Sequence, residues 1–124
     1  MAIPNLANVT TIIPANSQVY LTTTSATSIA SNAASSGEVL KIESLIVSNT
    51  DTTTSYNVTI STYSAAALGG TEYPVVSTLS VPANSSIIVI DKSSTIYLNE
   101  DQSLGATAET ANKLYINSSW EVLS

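Results

Sequence analysis

Side chains able to do chemistry are scarce in this sequence. The cationic groups are Lys41, Lys92 and Lys113, set against nine carboxylates, and neither His nor Cys occurs. Without imidazole or thiol, the usual nucleophile–base pairs and most transition-metal ligand sets are out of reach. A Ser–Lys pair is available on numbers alone, yet no serine sits in a nucleophile turn. Paired carboxylates could hydrolyse a glycoside, but the acids are scattered, and only Glu100 and Asp101 adjoin. Asn99-Glu100-Asp101 offers oxygens to a calcium ion without the spaced ligand ladder of a dedicated loop. These residues read as a solvated turn, and the sequence predicts no catalytic residue, cofactor or metal. Asn8, Asn57, Asn84 and Asn117 each begin an Asn-x-Ser/Thr triplet, a pattern that a chain so rich in Asn, Ser and Thr produces by chance.

What is left for function is contact. Tyr73 is predicted near a loop, while Tyr97 and Tyr115 face away from the aliphatic residues of their strands, which makes these three candidates for an outer contact surface. The alternative for each is ordinary cross-strand pairing. A second candidate set lies before Gln18, where Ile3, Leu6, Val9, Ile12 and Ile13 are scattered among prolines and Asn/Ser breakers with neither a helical nor a strand period. Residues 1–17 are therefore read as an extended arm. Apolar side chains in such number are unusual in a frayed terminus, so the arm is expected to dock on its own domain or on a neighbour.

From Gln18 onward the pattern is β. Gln18–Thr24 and Thr27–Asn32 are Thr- and Ser-rich strand candidates. Val39–Asn49 is a long strand with apolar residues on both faces (Leu40, Ile42 and Ile46 against Val39, Leu45 and Val47), which predicts a central strand. Tyr56–Thr62 alternates with Tyr56, Val58 and Ile60 inward. Ser64–Tyr73, which holds Gly69-Gly70, reads as a long mobile connection. Val75–Val81 follows Pro74, and Pro82-Ala83-Asn84 then predicts a hairpin into Ile87–Asp91. Thr95–Leu98, Ser103–Glu109 and Leu114–Val122 complete the set, the last with Leu114, Ile116, Trp120 and Val122 on one side. No window carries an amphipathic helix. The fold class expected is an all-β antiparallel sandwich over residues 18–124, jelly-roll or immunoglobulin-like.

A chain of 124 residues suits one two-layer core and, without cysteine, that core must rest on apolar packing. The net charge is −6 and hydrophobic residues make up 44%, which describes a folded domain with a neutral, hydroxyl-rich exterior. Three lysines cannot neutralise the phosphates that nucleic-acid affinity requires, so no nucleic-acid partner is expected. No apolar run reaches bilayer-spanning length, and Met1-Ala2-Ile3-Pro4 lacks a basic n-region and an apolar h-region. The expectation is a protein made in a cytoplasm with no membrane partner.

Two stretches carry a family resemblance. The first is Asn32-Ala33-Ala34-Ser35-Ser36-Gly37 with Val39, Lys41, Ile42 and Leu45-Ile46-Val47-Ser48-Asn49. The second runs through Ser80-Val81-Pro82-Ala83-Asn84, Ile87–Ile90 and Ile96-Tyr97-Leu98-Asn99-Glu100-Asp101-Gln102-Ser103-Leu104 to Trp120-Glu121-Val122. Together they resemble small virion structural proteins of tailed bacteriophages, especially those infecting cyanobacteria. Asn99-Glu100-Asp101 departs from the pattern, lacking the glycine usual before that aspartate. The resemblance implies a β-sandwich on the exterior of the virion capsid, a head decoration (cement) protein bound to the major capsid protein, or else a head–tail connector, neck or tail component. It carries no active-site residues. Local three-fold positions on a shell favour self-association as a homotrimer. A carbohydrate- or receptor-binding module of a tail fibre is the competing expectation, motivated by the tyrosines.

Overall fold

The computed structural model describes residues 5–124. Ile3, one of the apolar residues of the expected arm, lies outside the described residues. Nine strands follow a 3₁₀ turn at Leu6–Asn8: β1 Ile12–Tyr20, β2 Thr27–Asn32, β3 Val39–Asn49, β4 Tyr56–Ala65, β5 Gly69–Val81, β6 Ser85–Ile90, β7 Ile96–Leu98, β8 Gln102–Ala108 and β9 Leu114–Leu123. Sheet A has the order β1-β9-β3-β6, with β7 beside β6 on the same edge of β3, and sheet B has the order β2-β8-β4-β5. All pairings are antiparallel.

The pairing is nested. The first strand meets the last, β2 meets β8, β3 meets β6 and β7, and β4 meets β5. This is the double Greek key of a jelly roll, and it differs from the immunoglobulin division of strands. The core lies between the sheets, where Ile42, Leu45 and Val47 of β3 and Leu114 and Ile116 of β9 face Val58 and Ile60 of β4 and Leu104 and Ala106 of β8, all of them buried.

Several sequence expectations change here. The expected arm is a strand from Ile12, because β1 pairs with β9 residue by residue from Ile12↔Leu123 to Tyr20↔Tyr115. Backbone bonds between Thr11 and Ser124 extend that ladder. Scattered prolines hid it: Pro14 lies in an edge strand, where a missing N–H is tolerated. Gln18–Thr24 accordingly contributes only the end of β1.

The predicted Pro82-Ala83-Asn84 hairpin is no hairpin. β5 belongs to sheet B and β6 to sheet A, so the turn carries the chain from one layer to the other. Turn chemistry reports a reversal without reporting which strand receives the hydrogen bonds.

Ser64–Tyr73, expected as a long connection, is instead the end of β4, a tight turn over residues 66–68 and the start of β5. Ala67 and Leu68 both have positive φ (55° and 59°), and Gly69 N–H donates to Ala66 O at 3.1 Å, as in a type I′ turn. That backbone disfavours residues with a Cβ. Here the next strands hold it, since the N–H groups of Ala66, Ala67 and Leu68 donate to Asp101 Oδ1, Ser31 Oγ and Ser103 Oγ at 2.9–3.0 Å.

β3 is central, as its two-faced pattern suggested, but a bulge explains the pattern. The β3–β9 register shifts between Ile42 and Ser44. Leu40, Ile42, Leu45 and Val47 therefore all point inward, and Ile46 points out.

Candidate partner-binding surface

At the Val39 end of sheet A, a row of paired residues crosses the outer face: Glu121 of β9, Lys41 of β3 and Tyr97 of β7. Strand alternation aims these three outward while Leu40 and Leu98, their neighbours in sequence, enter the core. Lys41 Nζ lies 3.5 Å from Glu43 Oε1, a surface pair worth little to stability. The next pair, Val39 and Leu123, also faces outward yet is buried (2% and 7% exposed).

The N-terminal segment supplies the cover. Asn5 Oδ1 accepts from Ala7 N–H and caps the 3₁₀ turn, and Thr10 and Thr11 N–H both donate to Ser124 O. Leu6, Val9 and Ile12 are thereby set beside Leu123, Lys41, Glu121 and Tyr97 around a groove of about 210 Å³. Three residues of the expected arm and one of the three predicted tyrosines thus meet in one place. Leu6 and Ile12 are still more than half exposed.

Tyr97 also lines a second cleft of about 160 Å³, at the open flank of the sandwich, with Tyr73, Thr62, Tyr63, Ser64 and Gln102. Burial, aided by the charge of Glu72, pushes the Tyr63 hydroxyl above its ordinary pKa. Tyr97 is therefore the shared wall of two adjoining depressions, with Tyr73 beyond one and Leu6, Val9 and Ile12 beyond the other.

The remaining candidates lie elsewhere. Ile13 is exposed on β1 opposite Val122. Tyr115 sits at the far end of sheet A, stacked on Tyr20 with ring centroids 4.5 Å apart, while Tyr20 Oη donates to Asn112 O at 2.7 Å. Sequence reasoning missed this pairing because it left Tyr20 in a strand of unknown neighbour.

The Asn99-Glu100-Asp101 segment is used by the fold itself. Asp101 holds the β4–β5 turn, and Asn99 N–H donates to Gln102 Oε1 at 2.8 Å. Among the described residues, no three Asp or Glu side chains converge to hold a metal ion. Asp51 is kept below the usual carboxylate range by N–H groups of Thr53 and Thr54, with a smaller contribution from Lys113. Its Oδ2 lies 3.7 Å from Lys113 Nζ and accepts from Tyr56 Oη at 3.3 Å, so the β3–β4 and β8–β9 loops are tied together. These groups fasten loops.

No protein-family model and no curated protein sequence matches the chain. Among solved structures it is similar to a chain from Bacillus endospore appendages, described as forming a novel family of disulfide-linked pili. The TM-score is 0.53 at 14% identity, over 100% of this chain and 96% of the other. At that identity the likeness is one of fold, and it extends over nearly the whole of both chains.

Proposed function

We propose that this chain is a structural subunit of a repeating particle and acts through contact surfaces, without catalysis. The more specific reading is a decoration protein on the outside of a tailed-phage head, bound to the major capsid protein and to copies of itself. The observation that carries it is the gathering of Leu6, Val9, Ile12, Tyr97 and Tyr73 around two adjoining grooves. Exposed aromatic and aliphatic groups in one patch are what a protein partner desolvates. Weak contacts of this kind, repeated over a lattice, gain strength by avidity. An acidic chain with three lysines is better placed on the outer surface than against packaged DNA.

Mass spectrometry and cryo-EM of purified particles test the reading. Many copies on the shell are expected; a single ring of copies would move the assignment to the neck or tail, and absence from the particle would end it. In reconstitution on stripped heads, Tyr97→Ala should weaken binding about tenfold, the usual cost of truncating an aromatic anchor. Unchanged occupancy would remove the groove from the contact.

A second reading is a subunit of a surface filament, favoured by the likeness to the endospore-appendage chain. This chain has no cysteine, so a filament built from it would be held without disulfides. Negative-stain microscopy of concentrated protein distinguishes filaments from single particles.

A further inference from the structure

Three consecutive outward-facing rows of sheet A contain no charged side chain. Reading from β1 across β9 and β3, and on to β6 where that strand reaches, they are Tyr20–Tyr115–Ser48–Ser86, Gln18–Asn117–Ile46–Ile88 and Asn16–Ser119–Ser44. Their alternate neighbours Ile116, Leu45 and Val47 are buried, which fixes the outward direction of the rows. The band is partly closed within itself, by the Tyr20–Tyr115 stack and a 2.7 Å Ser44–Ser119 hydroxyl contact. At its centre Ile46 lies beside Ile88, and Ile88 is 62% exposed. Isoleucine so open to water on a β-face is the kind of group that another surface covers.

Charge decides which surface. The chain carries −6, so two copies repel wherever acidic faces meet. Sheet B is such a face: Glu72 accepts from Ser61 Oγ at 2.6 Å and Glu109 from Asn57 Nδ2 at 3.0 Å, and none of its strands contains a lysine. The neutral band is where like copies meet without that cost, and its Ser, Asn and Gln groups both donate and accept, so they pair with copies of themselves. We infer that the outer face of sheet A, centred on Asn117, Ile46 and Ile88, is the surface through which copies of this chain associate.

The inference rests on the reading of the chain as an assembly subunit and names the partner of one face. From strand spacing and rise, the band measures roughly 19 by 17 Å, about 300 Å² per copy against roughly 800 Å² for a standard stable interface. The contact is therefore weak for an isolated pair and strengthens in a lattice.

Sedimentation of the full chain over a wide concentration range tests it, with charges introduced on each sheet. Association that rises with concentration is expected; Ile88→Asp and Asn117→Asp should weaken it at least tenfold, and Thr107→Asp on sheet B should leave it unchanged. The chain has no cysteine, so Asn117→Cys gives a single thiol, which a short bismaleimide should couple between copies far faster than it couples Thr107→Cys. A wild-type monomer at the highest soluble concentration with no preference in coupling overturns the inference, as does equal weakening by Thr107→Asp. Sedimented mass separates a face-to-face pair from a trimer with this face toward its axis. If copies associate through the band yet no particle contains the chain, the surface stands and the proposed function falls. If particles contain it as isolated monomers, the reverse holds.

Discussion

Two buried amides add hydrogen bonds between the layers to the apolar packing of the core. Asn32, at the end of β2, donates through Nδ2 to Glu38 O at 2.9 Å and Leu98 O at 3.1 Å and accepts from Ser36 Oγ. Asn49, at the end of β3, donates to Thr54 O and Val81 O at 2.9 Å and accepts from Asp51 N–H at 3.0 Å. Each amide links a strand of one sheet to a strand of the other. Asn49→Ala leaves the buried Val81 O without a partner, and leaves Thr54 O and Asp51 N–H to water; it should destabilise the fold by about 1–3 kcal/mol in urea titration, the cost of one orphaned buried group.

Titration acts at the same scale. Asp51 is held below the ordinary carboxylate range by Thr53 and Thr54 N–H, and Asp91 by the Ser93 hydroxyl and then its N–H. With folded pKa values below the unfolded ones, their contribution is present above the unfolded value and lost as pH falls through the folded one. Lys113 shifts upward, chiefly through Tyr56, with a smaller part from Asp51. Its contribution is present below the unfolded lysine value and lost as pH rises through the raised one. Denaturation midpoints followed into acid should therefore fall less steeply for the Asp51→Asn, Asp91→Asn double variant than for the parent. The turns at Asn84 and Asp101, both with positive φ, were legible because Asn and Asp tolerate that backbone.

Among the elements, the β4–β5 turn is the least predictable. Nothing in Ala66-Ala67-Leu68 announces a type I′ turn, because the compensation lies about 35 residues away in sequence, in side chains of β2, β8 and the turn before it. Leu68 completes the seat: a Cβ built on Gly105 would lie 2.7 Å from Leu68 Cδ2 and 3.1 Å from Thr27 O. Gly105→Ala must displace the leucine and should cost about 1–3 kcal/mol, the range for overpacking, as read by thermal and urea denaturation. Ala67→Gly should stabilise by roughly 1 kcal/mol by relieving the left-handed backbone. β5 shows the same limit on local reasoning. Its register against β4 shifts three times, and Thr78 has a φ of 52°, held by its N–H donating to Thr59 Oγ1 at 3.1 Å. Such bulges, with Pro74, blunt an edge strand. By contrast, the bounds of β2 and β3 were readable directly from their β-favouring composition, and the facing of β4 from its alternation.

For the whole molecule, the class was legible and the wiring was not. Short alternating runs announced a sandwich, whereas the choice of a jelly roll depends on which runs pair across the full length of the chain. The same holds for the candidate surface: the sequence marked Leu6, Val9, Ile12 and Tyr97 separately, and only the β1–β9 and β3–β7 registers put them around one groove. Because Thr11 and Ser124 exchange backbone hydrogen bonds, the two ends of the fold are adjacent. A circular permutant that joins residue 124 to residue 11 by a short linker and opens between Lys92 and Ser93, in an exposed loop, should keep the fold. Loss of its cooperative unfolding transition would contradict the nested pairing.

β9 lies between β1 and β3 in sheet A, yet it is the last of the nine strands to leave the ribosome. Until it emerges, sheet A cannot close, and the edges of β1 and β3 that β9 pairs have no partner from this sheet. A growing chain in that condition is a trap for any extended segment nearby, including the same segment of a sister chain on the next ribosome. Synthesis speed through the final stretch therefore bears directly on yield, and a slow codon run just before Leu114 should send more of the product into inclusion bodies than the same run placed before β4.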